Sequence, residues 1–348
     1  MSDTSIEWVK NSDGTQGETW NPVCGCSRVS EGCRNCYAER MAARFSGGDS
    51  PTSKSIAKHY PDTYPFLGFA ERTPSGPRWT GRVELIESML DIPLRRRKPT
   101  TYFVNSMSDL FHDGLPIEAI AEVFFRMAEA QQHTFQVLTK RADRLPCALR
   151  LLRPLVAAAW ERFDGGKFPW PLPNVWLGVS CENQETADER IPLLLQTPAA
   201  VRFVSLEPLL GPVDLGHILW RDCEYNALTR GRDNDGGRLP HLDWVILGGE
   251  SGPGARPMHP QWARNVRDAC LAAGVPFFFK QWGEWAPGYP MIDRLSPNYG
   301  KVQQVSVQLA PESRNPCAKY ERMTRVGKTA AGHLLDGQEW RQMPEVKR

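Results

Sequence analysis

The sequence contains no long apolar run, no internal repeat and no strong excess of one charge. None of its apolar runs approaches the roughly 18 residues that a membrane span needs, so we expect no membrane association. The N-terminal MSDTSIEWVKNSDG is polar and carries no signal peptide, which predicts a cytoplasmic protein. Repeats at solenoid spacing are absent. A net charge of +2 does not by itself indicate a nucleic-acid partner.

The composition is typical of a soluble globular protein. Hydrophobic residues make up 41% and charged residues 24% of the 348 positions, a length that fits one large domain or two ordinary ones. Nine cysteines without a secretory signal indicate a reducing compartment, in which clustered thiols bind metals or take part in catalysis.

Four of the cysteines lie in one segment, TWNPVCGCSRVSEGCRNCYAER, at Cys24, Cys26, Cys33 and Cys36. Thiolates are soft ligands that select zinc, copper(I) or iron–sulfur clusters. All four could close a tetrahedral zinc site. The last three alone form C-x6-C-x2-C, which leaves one iron of a cubane cluster without a protein ligand. Free buried thiols are the third interpretation, and the spacing does not decide between the three.

Strand and helix patterns alternate along the rest of the chain. Runs rich in β-branched and aromatic residues predict strands at Glu18–Val23, Thr101–Met107, Thr134–Lys140, Asn174–Ser180, Val201–Leu206, Asp243–Gly248 and Val275–Gln281. Apolar residues at helical spacing predict helices at Tyr37–Phe45, Ile117–Gln131, Leu145–Arg162, Thr186–Leu195 and Trp262–Ala273. Such alternation implies parallel β/α units, and continuous apolar runs are typical of parallel strands. We therefore expect an α/β fold, a partial or nearly closed parallel (β/α) barrel.

Two segments interrupt the alternation, and the C-terminal part loses it. Gly47–Pro77 is rich in proline and glycine and is predicted to be an irregular insertion, and Arg221–His241 is predicted to be an inserted loop. We expect residues 1–284 to form the barrel domain with its cysteine loop at 19–40. Residues 285–348 are predicted to form a C-terminal extension packed on the barrel, with one helix and a packed tail over Arg325–Pro344.

Polar residues follow nearly every predicted strand. In β/α barrels the C-terminal ends of the strands face the active site. The residues at these ends are Asn105, Ser106, Asp109, Lys140, Arg141, Ser180, Glu182, Asn183, Glu207, Glu250, Arg256, Lys280 and Gln281. The sequence therefore predicts one common cleft lined by these groups.

The cysteine segment resembles that of a phage-associated branch of the radical S-adenosylmethionine (SAM) superfamily. That branch reads roughly T-W-N-P-V-x-G-C-x-x-V-S-x-G-C-x-x-C-Y-A-E, and residues 19–39 match it closely. Further matches are N-S-M-S-D-L-F, V-L-T-K-R, G-V-S-x-E-N, S-L-E-P-L, G-G-E-S-G and F-x-K-Q-W-G-E. The resemblance implies a barrel of the radical SAM type. It also implies a [4Fe-4S] cluster held by Cys26, Cys33 and Cys36, with SAM at the open iron. Cys24 falls on a position that the family does not reserve for cysteine.

The resemblance also implies roles for the strand-end residues. It places Tyr37 at the adenine of SAM, Ser106 and Asp109 at the methionine moiety, Ser180 or Asn183 at the ribose, and Asn105 and Glu182 among the cofactor-binding residues. The candidate catalytic residues are Lys140, Glu207, Glu250 and Lys280. Lys140, Lys280 and Arg256 would take an anionic group of the substrate, and Glu207 or Glu250 an amino group, unless they form lysine–glutamate pairs. The glycine pair before Glu250 lets the backbone approach a ligand closely.

The activity implied by the resemblance is reductive cleavage of SAM to a 5′-deoxyadenosyl radical, which abstracts hydrogen from an unactivated carbon. One family activity isomerises glycinylthymidine from nitrogen-linked to α-carbon-linked during hypermodification of viral DNA. The expected partners are viral DNA carrying modified thymidine and an electron donor such as flavodoxin or ferredoxin. The expected location is the host cytoplasm if the chain is phage-encoded. Candidate DNA contacts are Arg95–Lys98 and Trp282–Trp285. The alternatives are radical repair of a thymine lesion and a zinc-stapled nucleic-acid-binding protein.

Overall fold

The computed structural model of the chain describes residues 4–46, 67–221, 223–229, 240–288, 303–310 and 320–345. The chain forms two compact units, one of Met1–Gly178 with Gln196–Ala200 and the other of Val179–Leu195 with Val201–Arg348. Among the helices in the described ranges, none combines the length and the apolar character that crossing a membrane requires.

The first unit contains the cysteine loop and the first parallel strands. Its strands are β1 (Glu18–Trp20), β2 (Val23–Cys24), β3 (Ala70–Thr73), β4 (Gly76–Trp79), β5 (Glu84–Leu85), β6 (Thr101–Val104), β7 (Thr134–Thr139) and most of β8 (Val175–Ser180). Its helices are α1 (Tyr37–Ser46), α2 (Ile117–Glu129) and α3 (Leu145–Phe163), with 3-10 turns at Glu31–Cys33, Glu87–Met89, Pro93–Arg95 and Ala142–Arg144. Strands β2 and β5, and β3 and β4, form short antiparallel pairs.

The second unit continues the alternation and adds antiparallel strands. Its helices are α4 (Gln184–Leu195), α5 (Pro260–Ala273) and the short α6 (Lys328–Ala331). Its strands are β9 (Val201–Leu206), β10 (Ile218–Trp220), β11 (Cys223–Tyr225), β12 (Trp244–Gly248), β13 (Phe277–Gln281), β14 (Trp285–Pro287), β15 (Gln304–Gln308) and β16 (Tyr320–Arg325). Strands β10 and β11 pair antiparallel, and β14, β16 and β15 form an antiparallel sheet in that order.

Seven strands form one parallel sheet in the order β1-β6-β7-β8-β9-β12-β13. Each strand lies beside the next parallel strand in the chain, which is the order that consecutive β/α units produce. The register pairs Glu18 with Tyr102 and Thr101 with Thr134, and it shifts once between Leu247 and Gly248. The predicted α/β class with parallel β/α units is therefore confirmed. Closure into a barrel of the radical SAM type stays a prediction.

The strands are in the sheet because their side chains are apolar on both faces. Every residue of β6, β8 and β12 is buried. Helix α2 buries the apolar stripe Ile120, Val123, Phe124 and Met127, which recurs at helical spacing. Burial of such stripes is the main source of helix stability in a folded protein.

The structure shows strands in both predicted irregular segments and in the C-terminal part. Residues 67–77 of the predicted insertion lie in the described part, and they include β3 and the start of β4, joined where Thr73 Oγ1 donates to the Gly76 carbonyl. Residues 223–225 of the second predicted loop form β11. In the described residues of the C-terminal part, β14, β16 and β15 form a sheet, and the short α6 lies in the segment that was predicted to contain one helix. Residues 47–66, 222, 230–239, 289–302, 311–319 and 346–348 of these segments lie outside the described residues.

Candidate functional site

The cysteine loop leaves the first unit's sheet at a glycine. Strand β2 ends at Cys24, and Gly25 follows with φ of 89° and a parallel bridge to Ser108. A Cβ atom at Gly25 would lie 1.9 Å from the carbonyl oxygen of Arg82. Only glycine fits this turn, which separates Cys24 in the strand from Cys26 in the loop.

Cys24 has different surroundings from the other three thiols. It is 1% exposed in β2, and burial, followed by the charge of Glu84, raises its pKa to about 12. Cys26, Cys33 and Cys36 are each partly accessible. Their thiols are electrostatically linked, since a charge on Cys36 acts on Cys26 and a charge on Cys33 acts on Cys36. Three thiols thus lie in the loop and the fourth in the strand, although burial raises the pKa of Cys26 to about 12 as well.

Arg141 is a cation that donates a hydrogen bond to one of the loop thiols. Its side chain is 4% exposed, and Nη1 donates to Cys26 Sγ at 3.8 Å and to Asp109 Oδ2 at 3.2 Å. Its Nη2 donates to the Ser27 carbonyl at 3.0 Å and to Ser27 Oγ at 2.8 Å. Burial alone would lower the pKa of Arg141, and the charges of Asp109 and Cys26 outweigh that effect and raise it. Arg141 thus remains a guanidinium that binds the loop at Cys26 and Ser27.

Asp109 fixes Arg141 and has its acceptor capacity filled by the protein. Oδ1 accepts from Phe111 N at 3.0 Å and from Thr139 Oγ1 at 2.7 Å. Oδ2 accepts from Lys140 N at 3.2 Å and from Arg141. Four donors saturate a carboxylate. Asp109 therefore joins the ends of β6 and β7 and positions Arg141, and its contact with the methionine moiety stays a prediction.

His112 also contacts the loop at Ser27. Its Nδ1 accepts from Gly114 N at 3.0 Å, so the neutral ring carries its proton on Nε2, which lies 2.8 Å from Ser27 Oγ. Burial, followed by the charge of Arg141, lowers the pKa of His112 and keeps the ring neutral. Ser27 Oγ thus accepts hydrogen bonds from both His112 and Arg141. These two side chains hold Ser27, the residue next to Cys26, in position.

Two further cations act on the other thiols. Arg28 forms a bidentate ion pair with the buried Glu39, and its charge interacts with Cys36 and Cys33. The charge of Lys140 acts on Cys36. The charges of Arg141 at Cys26 and of Lys140 at Cys36 oppose the rise in pKa that burial causes at both thiols. Among these cations, sequence reasoning named Lys140 and Arg141 but gave Arg141 no role at the thiols.

The remaining predicted residues of the first unit lie around the same loop. Tyr37 donates from its hydroxyl to the Ser106 carbonyl at 2.5 Å, and its side chain is 50% exposed. Ser106 Oγ donates to Asn21 Oδ1 at 3.1 Å. Asn105 has φ of 60°, and its Oδ1 accepts from Val23 N at 3.3 Å. These contacts attach the start of α1 and the strand β2 to the end of β6.

In the second unit, the residues after β8 make internal contacts. Glu182 and Arg190 form a buried ion pair at 3.1 Å, and Arg190 Nη1 also donates to the Ser180 carbonyl at 2.6 Å. Asn183 Oδ1 accepts from Thr186 N at 3.0 Å, which is the N-cap arrangement for α4. The three residues predicted to bind SAM at this strand end therefore stabilise the turn between β8 and α4.

The predicted catalytic carboxylates of the second unit are paired with cations. Lys280 Nζ donates to Glu207 Oε1 at 2.5 Å. Arg256 Nε donates to Glu250 Oε2 at 2.9 Å and Arg256 Nη2 donates to Glu250 Oε1 at 2.7 Å. The lysine–glutamate alternative thus describes Glu207 and Lys280, and Glu250 is held by a bidentate arginine.

The glycine pair before Glu250 has a structural role. A Cβ atom at Gly249 would lie 2.0 Å from the Trp282 carbonyl oxygen, and Gly249 N donates to the Gln281 carbonyl at 2.9 Å. The close approach that we predicted for a ligand is made by the chain itself, at the end of β13. Trp282 and Trp285 are 4% and 2% exposed, so these rings are unsuitable for stacking on bases.

Two of the four cations in the predicted DNA contact at Arg95–Lys98 form ion pairs. Arg96 pairs with Glu18 at 2.7 Å, and Lys98 pairs with Asp13 at 3.3 Å. Arg95 and Arg97 are exposed. Two cations of the run thus attach the first unit's N-terminal segment to the chain before β6.

The donor set of the cysteine loop fits an iron–sulfur cluster. Three thiols are the ligand type that such clusters need. Arg141 Nε and Asn105 Nδ2 are buried donors without a hydrogen-bond partner, as are several donors elsewhere in the described residues. Within the described ranges, no three His, Cys, Asp or Glu side chains are already arranged around a metal position. Binding a cluster therefore requires Cys26, Cys33 and Cys36 to turn toward a common centre.

Comparison with known proteins places the chain at the level of a family. Neither the curated proteins nor the solved structures gave a match. A protein family described as a protein of unknown function, DUF5131, matches residues 3–344. This match covers nearly the whole sequence, and we conclude that the chain belongs to the DUF5131 family.

Proposed function

We propose that the protein is a radical SAM enzyme whose barrel is of the radical SAM type and whose cluster ligands are Cys26, Cys33 and Cys36. The observation that carries this proposal is the separation of the four thiols. Three partly accessible thiols lie in the loop, whereas Cys24 lies buried in β2. Three protein ligands leave one iron open for SAM, whose reductive cleavage supplies a 5′-deoxyadenosyl radical when cluster, SAM and an electron donor such as flavodoxin or ferredoxin are present.

The chain's own residues hold and shield this centre. Arg141 donates to Cys26 Sγ and carries positive charge next to the thiolates, and Asp109 holds the guanidinium in place. His112 and Arg141 together fix Ser27, the residue after Cys26, at its side-chain hydroxyl and at its backbone carbonyl. Arg28 and Lys140 add positive charge near Cys36. The network lowers the cost of collecting three negative ligands in one place.

The substrate follows from the resemblance of the motifs. We propose that the enzyme isomerises glycinylthymidine in viral DNA from the nitrogen-linked to the α-carbon-linked form. Hydrogen is removed from the glycine α-carbon, the bond from the thymidine methylene to nitrogen is exchanged for a bond to that carbon, and the nitrogen gains a hydrogen, so substrate and product have the same mass. Radical repair of a thymine lesion is the second candidate, and it is distinguished by its need for a thymine dimer as substrate.

Anaerobic reconstitution tests the proposal. The wild-type protein is expected to bind about four irons, to absorb near 400 nm as cysteine-ligated clusters do, and to release 5′-deoxyadenosine from SAM with a reductant. Cys24→Ser is the matched control for Cys26→Ser. We expect the first to retain iron and the second to lose it. A colourless protein with one zinc, or equal iron loss in both variants, contradicts the proposal.

The substrate is tested separately by nucleoside mass spectrometry. DNA containing glycinylthymidine is incubated with enzyme, SAM and reductant, and the nucleosides are separated by chromatography. The expected product elutes differently from the substrate at the same mass. Consumption of a thymine dimer in the parallel reaction, with glycinylthymidine unchanged, selects the repair activity instead.

A further inference from the structure

Ser27, the residue after Cys26, has a hydroxyl group whose contacts in the protein are with donors. Its Oγ lies 2.8 Å from His112 Nε2 and accepts from Arg141 Nη2 at 2.8 Å. A serine hydroxyl has two acceptor lone pairs and one proton to donate. Both lone pairs are filled, so the proton points in a third direction, away from His112 and Arg141. Among the described residues, none accepts this proton.

The turn after β6 fixes the direction in which His112 donates. His112 is buried, and its Nδ1 accepts from Gly114 N at 3.0 Å. A neutral imidazole that accepts at Nδ1 carries its proton on Nε2, so His112 donates to Ser27. The pair therefore lacks the base that a serine nucleophile needs. The His112 carbonyl accepts from Leu115 N at 2.9 Å and from Arg144 Nη1, and these contacts hold the turn in place.

One guanidinium joins the Ser27 hydroxyl to the thiol of Cys26. Arg141 donates to Ser27 Oγ from Nη2 and to Cys26 Sγ from Nη1, the second at 3.8 Å. The orientation of this guanidinium is fixed by Asp109 Oδ2, which accepts from Nη1 at 3.2 Å. The Cys26 thiol also lies 3.4 Å from the Ser27 carbonyl oxygen. The hydroxyl and the thiol are therefore held by the two terminal nitrogens of a single side chain.

We propose that Ser27 donates its hydroxyl proton to the sulfur of Cys26 when that cysteine binds a metal centre as a thiolate. His112 is then the positioning residue that directs this proton. A thiolate ligand accepts hydrogen bonds, and hydrogen bonds to ligand atoms tune the metal behind them. Because its two lone pairs are already filled, the Ser27 hydroxyl is available to the sulfur as a donor. The inference rests on the proposed function in one respect, the ligand role of Cys26.

Cobalt(II) bound by the full-length protein tests this contact without iron. The energy of the thiolate-to-cobalt charge-transfer band reports the electron density at the ligand sulfur. Loss of a donor raises that density, so the band should move to longer wavelength in Ser27→Ala. Ser27→Thr keeps a hydroxyl and should retain the wild-type band. Ser108→Ala is the matched control and should also retain it, because the Ser108 hydroxyl already donates to the Val23 carbonyl at 2.8 Å.

A double variant tests whether His112 acts through Ser27. His112→Leu alone should move the band in the same direction as Ser27→Ala, because the hydroxyl proton is then free to turn away from the sulfur. In the Ser27→Ala background, His112→Leu should produce no further shift. Additive shifts would overturn the positioning role of His112. The whole inference is overturned if Ser27→Ala keeps the wild-type band or if Ser108→Ala shifts it as much, and neither result requires His112→Leu to fold.

Reconstitution with iron and sulfide separates this inference from the proposed function. A net hydrogen bond changes an equilibrium by a factor of about three to ten, which for a one-electron couple is about 30–60 mV. Ser27→Ala should lower the reduction potential by this amount and keep its iron. An assembled cluster with both potential and cobalt band unchanged in Ser27→Ala overturns the inference alone. The cobalt shift in a protein that assembles no cluster supports the inference and contradicts the radical SAM proposal alone. A wild-type protein that binds neither cobalt(II) nor iron contradicts both.

Discussion

Replacing Arg141 with methionine separates its structural contribution from its effect on the cluster. Methionine keeps much of the side-chain volume and removes all the donors. The change deletes hydrogen bonds to Asp109 Oδ2, to the carbonyl and hydroxyl of Ser27, and to Cys26 Sγ. Asp109 keeps three other hydrogen-bond donors. Its carboxylate therefore loses its ion-pair partner but remains hydrogen-bonded.

The expected loss of stability follows from the burial of the pair. The side chains of Arg141 and Asp109 are 4% and 8% exposed, and removal of one partner of a buried ion pair costs about 3–5 kcal/mol. Arg190→Met is the matched control, because Arg190 and Glu182 form a pair that is 3% and 2% exposed in the second unit. We expect both variants to lose similar free energy of unfolding in urea.

Of these two variants, only Arg141→Met should change the reduction potential of the cluster. A hydrogen bond to a charged group contributes about 1.5–3 kcal/mol, and a positive charge beside a ligand sulfur stabilises the reduced, more negative cluster. For a one-electron couple a tenfold change, or about 1.4 kcal/mol, corresponds to about 59 mV. The reduction potential should therefore fall by about 60 mV or more in Arg141→Met.

The assay is a redox titration of the reconstituted proteins followed by electron paramagnetic resonance. The reasoning is refuted if Arg141→Met retains its iron and titrates at the wild-type potential. It is also refuted if Arg190→Met shifts the potential by the same amount, since the shift would then reflect lost stability instead of the contact with Cys26.

Three further expectations concern stability. Gly249→Ala should cost about 3 kcal/mol or more in urea unfolding, because its Cβ would meet the Trp282 carbonyl oxygen at 2.0 Å, a severe form of overpacking. His133→Asn should flatten the fall of thermal stability in acid. Burial lowers the pKa of His133 below 6.5, so the unfolded state binds the extra proton first, and wild-type stability falls by up to about 1.4 kcal/mol per pH unit as the pH drops below 6.5. Asn183→Ala should cost about 0.5–2 kcal/mol through loss of the α4 cap without changing iron content.

Each expectation has its own contrary result. Gly248→Ala is the control for Gly249, since its Cβ would meet nothing closer than 3.4 Å, and equal losses in both would contradict the steric argument. An unchanged pH profile in His133→Asn would mean that other groups govern acid stability. Loss of iron in Asn183→Ala, measured beside its unfolding midpoint, would indicate a role beyond capping.

The parallel strands were predictable because their composition differs from that of their surroundings. Val201–Leu206 has the predicted bounds, since four of its six residues are apolar and irregular residues flank it. Thr101–Met107 was predicted three residues too long. The strand ends at Val104 because Asn105 adopts φ of 60° and bonds to Val23. The pattern of side chains carries no sign of this long-range contact.

The C-terminal sheet and half of the site could not be predicted from the local pattern of the sequence. Strand β15 alternates weakly and lies half exposed, so its pairing with β16 depends on contacts beyond the segment. The spacing of the cysteines indicated which residues to consider. The roles of Ser27 and His112 depend on a contact across 85 residues, which no short motif encodes.

The guanidinium that braces Cys26 comes from a strand end 115 residues further along the chain. The cysteine loop, which we propose to bind iron, therefore depends on a residue from a distant part of the chain. A synthetic peptide with the sequence of residues 19–40 contains every cysteine of the loop but lacks this brace, and grafting the loop onto another scaffold would transfer the ligands without their counter-charge.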